Sequence, residues 1–438
     1  MSEAAGVSSA RDALPRRIVV VGAGLLGGSL LAALQTRRAF GDRPGVHLVA
    51  VSGAQTLKAL RDRDWCDELL PYERLEEACD EADLVVLCAP LSALQTHLLR
   101  ISASRDRLAR GAVVTDVGST KALVCRVGFS GFPNEGAGSP RFVGGHPMAG
   151  SEKSGIAAAD PLLYQSALWV LCPPEGLPEG QDAGLRALVQ ACGARLAVLA
   201  PVVHDAAVAR ISHAPQILSS ALARWAGHNE NLSEAALALA AGGFRDMTRL
   251  ALSRWEVWRD IVATNPGPIA EALAELSTDL STLARSARLW REALESFPED
   301  LQGSQRRGHY FEALAKGDME AAGALLPRSD LAAHLRDAEG EFHKAFEQGH
   351  QFRSRFRMPR KGIAHDLHEF VVRLEDRPGQ LLAFLQPLAE AGLNVQDLEI
   401  LKVREGESGT LLVGFASAED AQQARDVLGQ GRFLVMDR

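Results

Sequence analysis

The sequence predicts an α/β fold in three parts. A doubly wound sheet is expected over residues 17–201, an all-helical segment over 202–348, and a small βαββαβ unit over 366–438. Three observations carry this expectation. Short Val/Leu-rich runs alternate with helical stretches up to residue 201; strand texture is absent from about 204 to 348; and it returns from residue 367. At roughly 150 residues per domain, a chain of this length holds about three domains.

The first 16 residues are rich in Ala, Ser and Arg and lack the apolar core of a signal peptide, so they read as a tail. Strands are expected at 18–22, 47–52, 68–70, 83–90, 112–117, 141–145, 168–173 and 195–201. The runs are continuous rather than alternating, as in strands buried on both faces. Helical segments between most of them give the doubly wound arrangement. In the second part, 266–291 reads as one long helix with Pro266 in its first turn. Residues 349–365 are basic, contain Pro359 and read as a linker. In the third part, strands at 368–376, 394–403, 410–416 and 432–437 are interleaved with helices at 379–391 and 418–428, the order of a ferredoxin-like unit.

Composition excludes several classes of function. The formal net charge is -8, so there is no overall basic field for nucleic acid. Only seven of the 47 basic residues are lysines, so positive charge is mostly guanidinium, the better fork for carboxylates. Six cysteines stand at wide spacings without a C-x-x-C pair, which fits free thiols in the cytoplasm and no metal framework. No apolar run reaches the ~18 residues needed to span a bilayer.

The first expected strand runs into Gly22-Ala-Gly24-Leu25-Leu26-Gly27-Gly28 and then a helical LLAALQT. A G-x-G-x-x-G turn between strand and helix is the fingerprint of a Rossmann-type dinucleotide site. The first glycine makes the turn, the second admits a pyrophosphate, and the third permits close packing. Gly22, Gly24, Leu25, Leu26 and Gly27 are therefore expected to contact the cofactor, with Ala89 and Pro90 at the end of the fourth strand. The second strand ends in Ser52-Gly53 where an acid would hold the ribose of NAD. Ser52 takes that place; NAD is expected, and NADP is left open.

Four further clusters follow: Asp116-Val-Gly-Ser119-Thr-Lys121; Gly145-His146-Pro-Met-Ala-Gly150-Ser151-Glu152-Lys153-Ser154-Gly155; Ile211-Ser212-His213-Ala-Pro215-Gln216; and Gly242-Gly243-Phe244-Arg245-Asp246-Met-Thr248-Arg249, leading to Trp258-Arg259-Asp260. With the glycine fingerprint, their set and order resemble the prephenate dehydrogenase family over about residues 17–300. The resemblance implies oxidative decarboxylation of prephenate to 4-hydroxyphenylpyruvate, with hydride transfer to NAD, in tyrosine biosynthesis. It makes His146 the catalytic histidine and Ser119 its partner near the substrate hydroxyl. It makes Arg249 a carboxylate ligand, with His213, Gln216, Ser151, Glu152 and Gly242 completing the substrate site. A histidine suits the reaction because a base must draw the hydroxyl proton as hydride leaves.

One position departs from the family. Many members carry S-H-x-P-H, and here the second histidine is Gln216. That leaves arogenate, the amino analogue, open as a substrate, alone or beside prephenate. A β-hydroxyacid dehydrogenase is disfavoured, because no lysine lies between Lys153 and Lys316 to serve as its acid/base group. A non-catalytic nucleotide sensor is disfavoured by the joint presence of His146, Ser119 and Arg249.

Glu375-Asp376-Arg-Pro378-Gly379-Gln-Leu381, with Asn394-Val395, resembles an ACT-type regulatory domain. That implies an amino-acid effector held by Asp376, Gly379 and Asn394, with tyrosine the first candidate, in a homodimer.

Overall fold

The computed structural model describes residues 15–39, 45–133, 135–136, 138–150, 153–228, 230–355, 367–375, 377–404, 408–429 and 433–436. The chain divides into two compact units, Met1–Arg357 and Met358–Arg438.

The first unit holds β1 (Arg17–Val21), β2 (His47–Ser52), β3 (Glu68–Pro71), β4 (Leu84–Leu87), β5 (Val113–Asp116), β6 (Arg141–Pro147), β7 (Leu168–Cys172) and β8 (Arg195–Val198). They form one sheet in the order β3-β2-β1-β4-β5-β6-β7-β8. The strand order reverses between β1 and β4, which opens a crevice at their carboxyl ends. The continuous apolar runs are explained by two cores. Ile18 and Val20 of β1 face one, Val19 and Val21 the other; β2 and β4 divide in the same way.

Strands β1 to β6 are mutually parallel, but β7 pairs antiparallel with β6. The described residues between β6 and β7 contain only the 3-10 turn Ile156–Ala158. Without a crossover helix to carry the chain back, the next strand enters from the near end.

After β8 the first unit is helical. Helix Pro201–Val208 passes through a wide π-type turn, Ala209–His213, into helix Ala214–Gly227. Pro215 lacks the N–H that would close a regular turn on Ile211, which accounts for the widening. Helices Glu230–Leu239, Gly242–Thr248, Trp255–Thr264 and Pro266–Glu295 follow, then Leu301–Ala315, Met319–Ala324 and Ser329–Arg355. The last of these enters the stretch expected to be a linker, residues 349–365, and is helical as far as Arg355. The stretch carries no proline before Pro359, and a nucleated helix extends through the single Gly349 at a cost of only about 1 kcal/mol. The rest of that stretch lies outside the described residues. No helix among the described residues is long and apolar enough to cross a membrane.

The second unit has β9 (His368–Leu374), β10 (Asp397–Arg404), β11 (Ser408–Phe415) and β12 (Leu434–Met436), in the antiparallel order β10-β11-β9-β12. Helices Gln380–Glu390 and Ala418–Gly429 supply Phe384, Leu388, Ala424 and Leu428 to a core with Phe370, Val372, Val413 and Phe415.

Candidate active site

The glycine turn has the shape a dinucleotide needs. Gly22 sits at φ +93°, where a Cβ would stand 2.8 Å from the Ala89 nitrogen. At Gly27 a Cβ would stand 2.1 Å from the Gly22 carbonyl oxygen. These two glycines permit backbone to meet backbone. Gly24 differs: a Cβ there would meet nothing within 4 Å. The open space lies where helix Leu25–Ala39 presents its unpaired first N–H groups, the place for a pyrophosphate. Leu25 and Leu26 are half-buried beside it, and the Leu26 carbonyl accepts from the Tyr164 hydroxyl at 2.7 Å. Ala89 backs Gly22, and Pro90 precedes helix Leu91–Ala103. Ser52 is buried under the turn, and its Oγ accepts from the Ala23 N–H at 3.4 Å.

The next strand ends build a pedestal for His146. Asp116 closes β5 and Lys121 lies just beyond it; both side chains are fully buried and form an ion pair. Lys121 Nζ also donates to the Gly145 carbonyl at 2.7 Å, while Asp116 Oδ1 accepts from the Gly145 N–H at 3.1 Å and Oδ2 from the Gly118 N–H at 2.8 Å. The pair thus clamps the residue before His146. Glycine is required there, since a Cβ on Gly145 would stand 2.4 Å from the Asp116 carbonyl oxygen.

His146 is half-buried, and its Nδ1 lies 2.8 Å from His204 Nε2. His204 Nδ1 in turn lies 2.8 Å from Asp205 Oδ1. Both residues belong to helix Pro201–Val208. The Asp205 carboxylate also accepts from the Lys121 N–H at 2.7 Å and the Ala122 N–H at 2.8 Å, at the start of helix Ala122–Gly131. Burial, reinforced by Lys121, His204 and His213, holds the His146 pKa well below the ordinary imidazole value. The ring is therefore neutral at physiological pH, and its Nε2 makes no hydrogen bond among the described residues.

The other expected substrate ligands fall into two groups. His213 is buried; its Nδ1 lies 3.3 Å from the Asn265 amide, and its ring meets Trp258 edge-to-face at 6.0 Å. Burial pushes its pKa down to about 4, so it is neutral and cannot serve as a cation. Asn265 also donates to the Asp205 carbonyl at 2.9 Å, which joins His213 to the His146 network. Gln216 belongs to the second group. It donates to the Leu250 carbonyl at 2.7 Å and accepts from the Ser253 hydroxyl at 3.2 Å. It thereby pins the turn Arg249–Leu252, whose first residue, Arg249, is exposed. Gly242 opens helix Gly242–Thr248 and is also exposed. Ser119 is half-buried in the loop between Asp116 and Lys121. Ser151 and Glu152 lie outside the described residues.

Beyond the bonds of His204 and Asp205, two further contacts tie the helical part to the crevice edge. Asp260 accepts from the Ser92 N–H at 3.0 Å, and the Thr120 and Thr264 hydroxyls are 2.8 Å apart. Sequence reasoning missed His204 and Asp205. An adjacent His-Asp pair in the first turns of a helix was the only signal they offered.

In the second unit, Gly379 takes φ +86° and caps helix Gln380–Glu390, exposed to solvent. Asn394 is exposed just ahead of β10. Asp376 lies outside the described residues.

The family model for the nucleotide-binding domain of prephenate dehydrogenase matches residues 58–198, and that for its dimerization domain matches residues 200–302. Prephenate dehydrogenase of Bacillus subtilis is 27% identical, the match covering 94% of this chain and 95% of that protein. The structure of arogenate dehydrogenase from Synechocystis is 30% identical, covers 63% of this chain and 94% of its own, and superposes with a TM-score of 0.54. Prephenate dehydrogenase from A. aeolicus shares the fold at 24% identity, covering 70% of this chain and 98% of its own with a TM-score of 0.55. Two consecutive domain matches spanning more than half of the sequence, the first of them containing the His146 pedestal, mean that the chain belongs to the prephenate dehydrogenase family.

Proposed function

We propose that this chain oxidatively decarboxylates prephenate to 4-hydroxyphenylpyruvate, with NAD as cofactor. The observation that carries the reading is a neutral His146 at the carboxyl end of β6, its Nε2 without a hydrogen bond among the described residues, on the same sheet edge as the glycine turn. NAD, when bound, supplies the hydride acceptor; the open face at Gly24 is where its pyrophosphate fits.

His146 Nε2 draws on the proton of the substrate's ring hydroxyl while hydride leaves the carbon that bears it. Carbon dioxide departs, the ring becomes aromatic, and the oxygen recovers its proton as a phenol. A positioned base contributes about 10²–10⁴-fold to such a step. Ser119 stands in the neighbouring loop as a second hydrogen-bond partner for that hydroxyl. Arg249 offers a guanidinium fork to a substrate carboxylate, with Gln216 holding its turn. His213 acts as a neutral wall of the site.

Gln216 favours a second reading, since it presents no charge where many members present histidine. Arogenate, alone or beside prephenate, is that alternative substrate. Initial rates with prephenate and arogenate, each with NAD and NADP, test both. Prephenate with NAD is expected to give the highest kcat/KM. Turnover of neither substrate refutes the reading.

We infer a homodimer as the working form. Trp225, Leu239, Leu252 and Trp255 of the helical part are 61–88% exposed, an apolar surface that a second copy would cover. Six free thiols support a reducing, cytoplasmic location. The second unit is read as an ACT-type regulatory domain with tyrosine as effector, received at the Gly379 turn and Asn394.

A further inference from the structure

The mechanism above uses His146 but leaves His204 and Asp205 without a role. Each is 1% exposed, and polar groups so buried need satisfied partners. Their partners form a directional chain. Asp205 receives the Lys121 N–H on one carboxylate oxygen and the Ala122 N–H on the other, at a helix N-terminus. A carboxylate only accepts, so His204 Nδ1 must carry the proton it donates to Asp205. A His204 ring that carries this one proton has a bare Nε2, which can only accept. In that arrangement the proton between the two rings sits on His146 Nδ1.

We propose that His204 and Asp205 are positioning residues that fix the tautomer of His146, placing its proton on Nδ1 and its lone pair on Nε2, toward the substrate. The proposal rests on His146 being the base of the proposed reaction. An isolated imidazole in water prefers the opposite tautomer, protonated on Nε2, which would present a donor where the reaction needs an acceptor. When His146 takes on proton character at Nε2, the charge spreads to its Nδ1–H, and His204 with the Asp205 carboxylate behind it stabilises that charge. No bond to His204 or Asp205 forms or breaks; the transferred proton moves between substrate oxygen and His146 Nε2 alone.

The test uses the full chain. Nitrogen-15 NMR of histidine-labelled protein, with His146 assigned by its loss in His146→Asn, reads the tautomer directly. Wild type is expected to show His146 protonated on Nδ1. Asp205→Asn takes the carboxylate acceptor away from His204 Nδ1 and from the two backbone N–H groups it also serves, so His146 should lose its preference for protonation on Nδ1 and the Nε2 tautomer should rise. Its kcat should fall by about 10³–10⁴-fold, the scale for a wrong tautomer in an analogous triad. KM for prephenate and NAD should stay within about twofold, because the effect is felt in the transition state. Should Asp205→Asn not fold, the pair His204→Gln and His204→Phe decides. Gln offers an acceptor at the place of Nε2 and should keep kcat within about tenfold of wild type, whereas Phe should lose at least about 10²-fold.

A wild-type His146 protonated on Nε2 overturns the proposal, as does Asp205→Asn with wild-type kcat, or equal kcat for His204→Gln and His204→Phe. The spectrum is read without substrate. A chain that turns over neither prephenate nor arogenate thus defeats the functional reading while the tautomer remains measurable.

Discussion

Replacing Lys121 with Met probes both the pedestal and the chemistry it carries. Lys121 and Asp116 are fully buried, and the substitution removes one charge of the pair while keeping most of the side-chain length. Asp116 would keep its bonds from Gly118 and Gly145, but its charge would have no counterion. The Gly145 carbonyl would lose its donor as well. Breaking a buried pair on one side costs about 3–5 kcal/mol. At roughly 2–4 °C per kcal/mol for a large domain, the melting temperature should fall by roughly 6–20 °C. Adding Asp116→Asn removes the orphaned charge, so the double variant should be more stable than Lys121→Met alone. The same substitution has a chemical signature. After burial, the Lys121 charge is the strongest influence keeping His146 neutral. Without it the His146 pKa rises, and protonation disables the base at a higher pH. The acidic limb of the kcat/KM profile should therefore move upward. Scanning calorimetry and a pH–rate series measure the two effects. A melting temperature lowered by less than about 2 °C, or an acidic limb that moves downward, refutes the reasoning.

Three further outcomes are expected. Gly24→Val should leave the melting temperature unchanged, since its side chain meets no atom of the fold, yet weaken NAD binding by at least about tenfold, read by fluorescence titration. Arg249→Ala should raise KM for prephenate by about one to two decades with little change in kcat, the worth of a charge-assisted carboxylate fork; steady-state kinetics read this. Truncation after Gly362 should abolish tyrosine inhibition while turnover survives, and Gly379→Val should blunt inhibition by forcing a branched side chain to φ +86°.

The parts of the fold that were legible in the sequence are those where a single segment settles its own environment. Val19 and Val20 are neighbours on β1 yet belong to opposite cores, so an unbroken apolar run announces a strand covered on both faces. The glycine turn is legible for the same reason: Gly22 and Gly27 answer to backbone within a few residues of themselves or at the end of β4. The antiparallel entry of β7 was not legible, because it follows from the lack of a crossover helix among the described residues between β6 and β7. The helix through Arg355 was missed because basic, polar residues fit a solvated linker and a solvated helix equally well. The site divides along the same line. His146 and Ser119 announce themselves in compact motifs. His204 is 58 residues away from His146 and reaches it only after helix Pro201–Val208 docks on the loop following β5. The Asp116–Lys121 pair stood inside a recognised motif, but burial alone gives it its meaning, and burial is a property of the folded chain.

The central claim is that His146 is the base of prephenate oxidation. The most direct measurement is single-turnover hydride transfer from prephenate to NAD in wild type and His146→Asn, with substrate and cofactor affinities determined separately. The account predicts unchanged affinities and a transfer rate lower by about 10²–10⁴-fold in the variant. A variant that transfers hydride at the wild-type rate would contradict it.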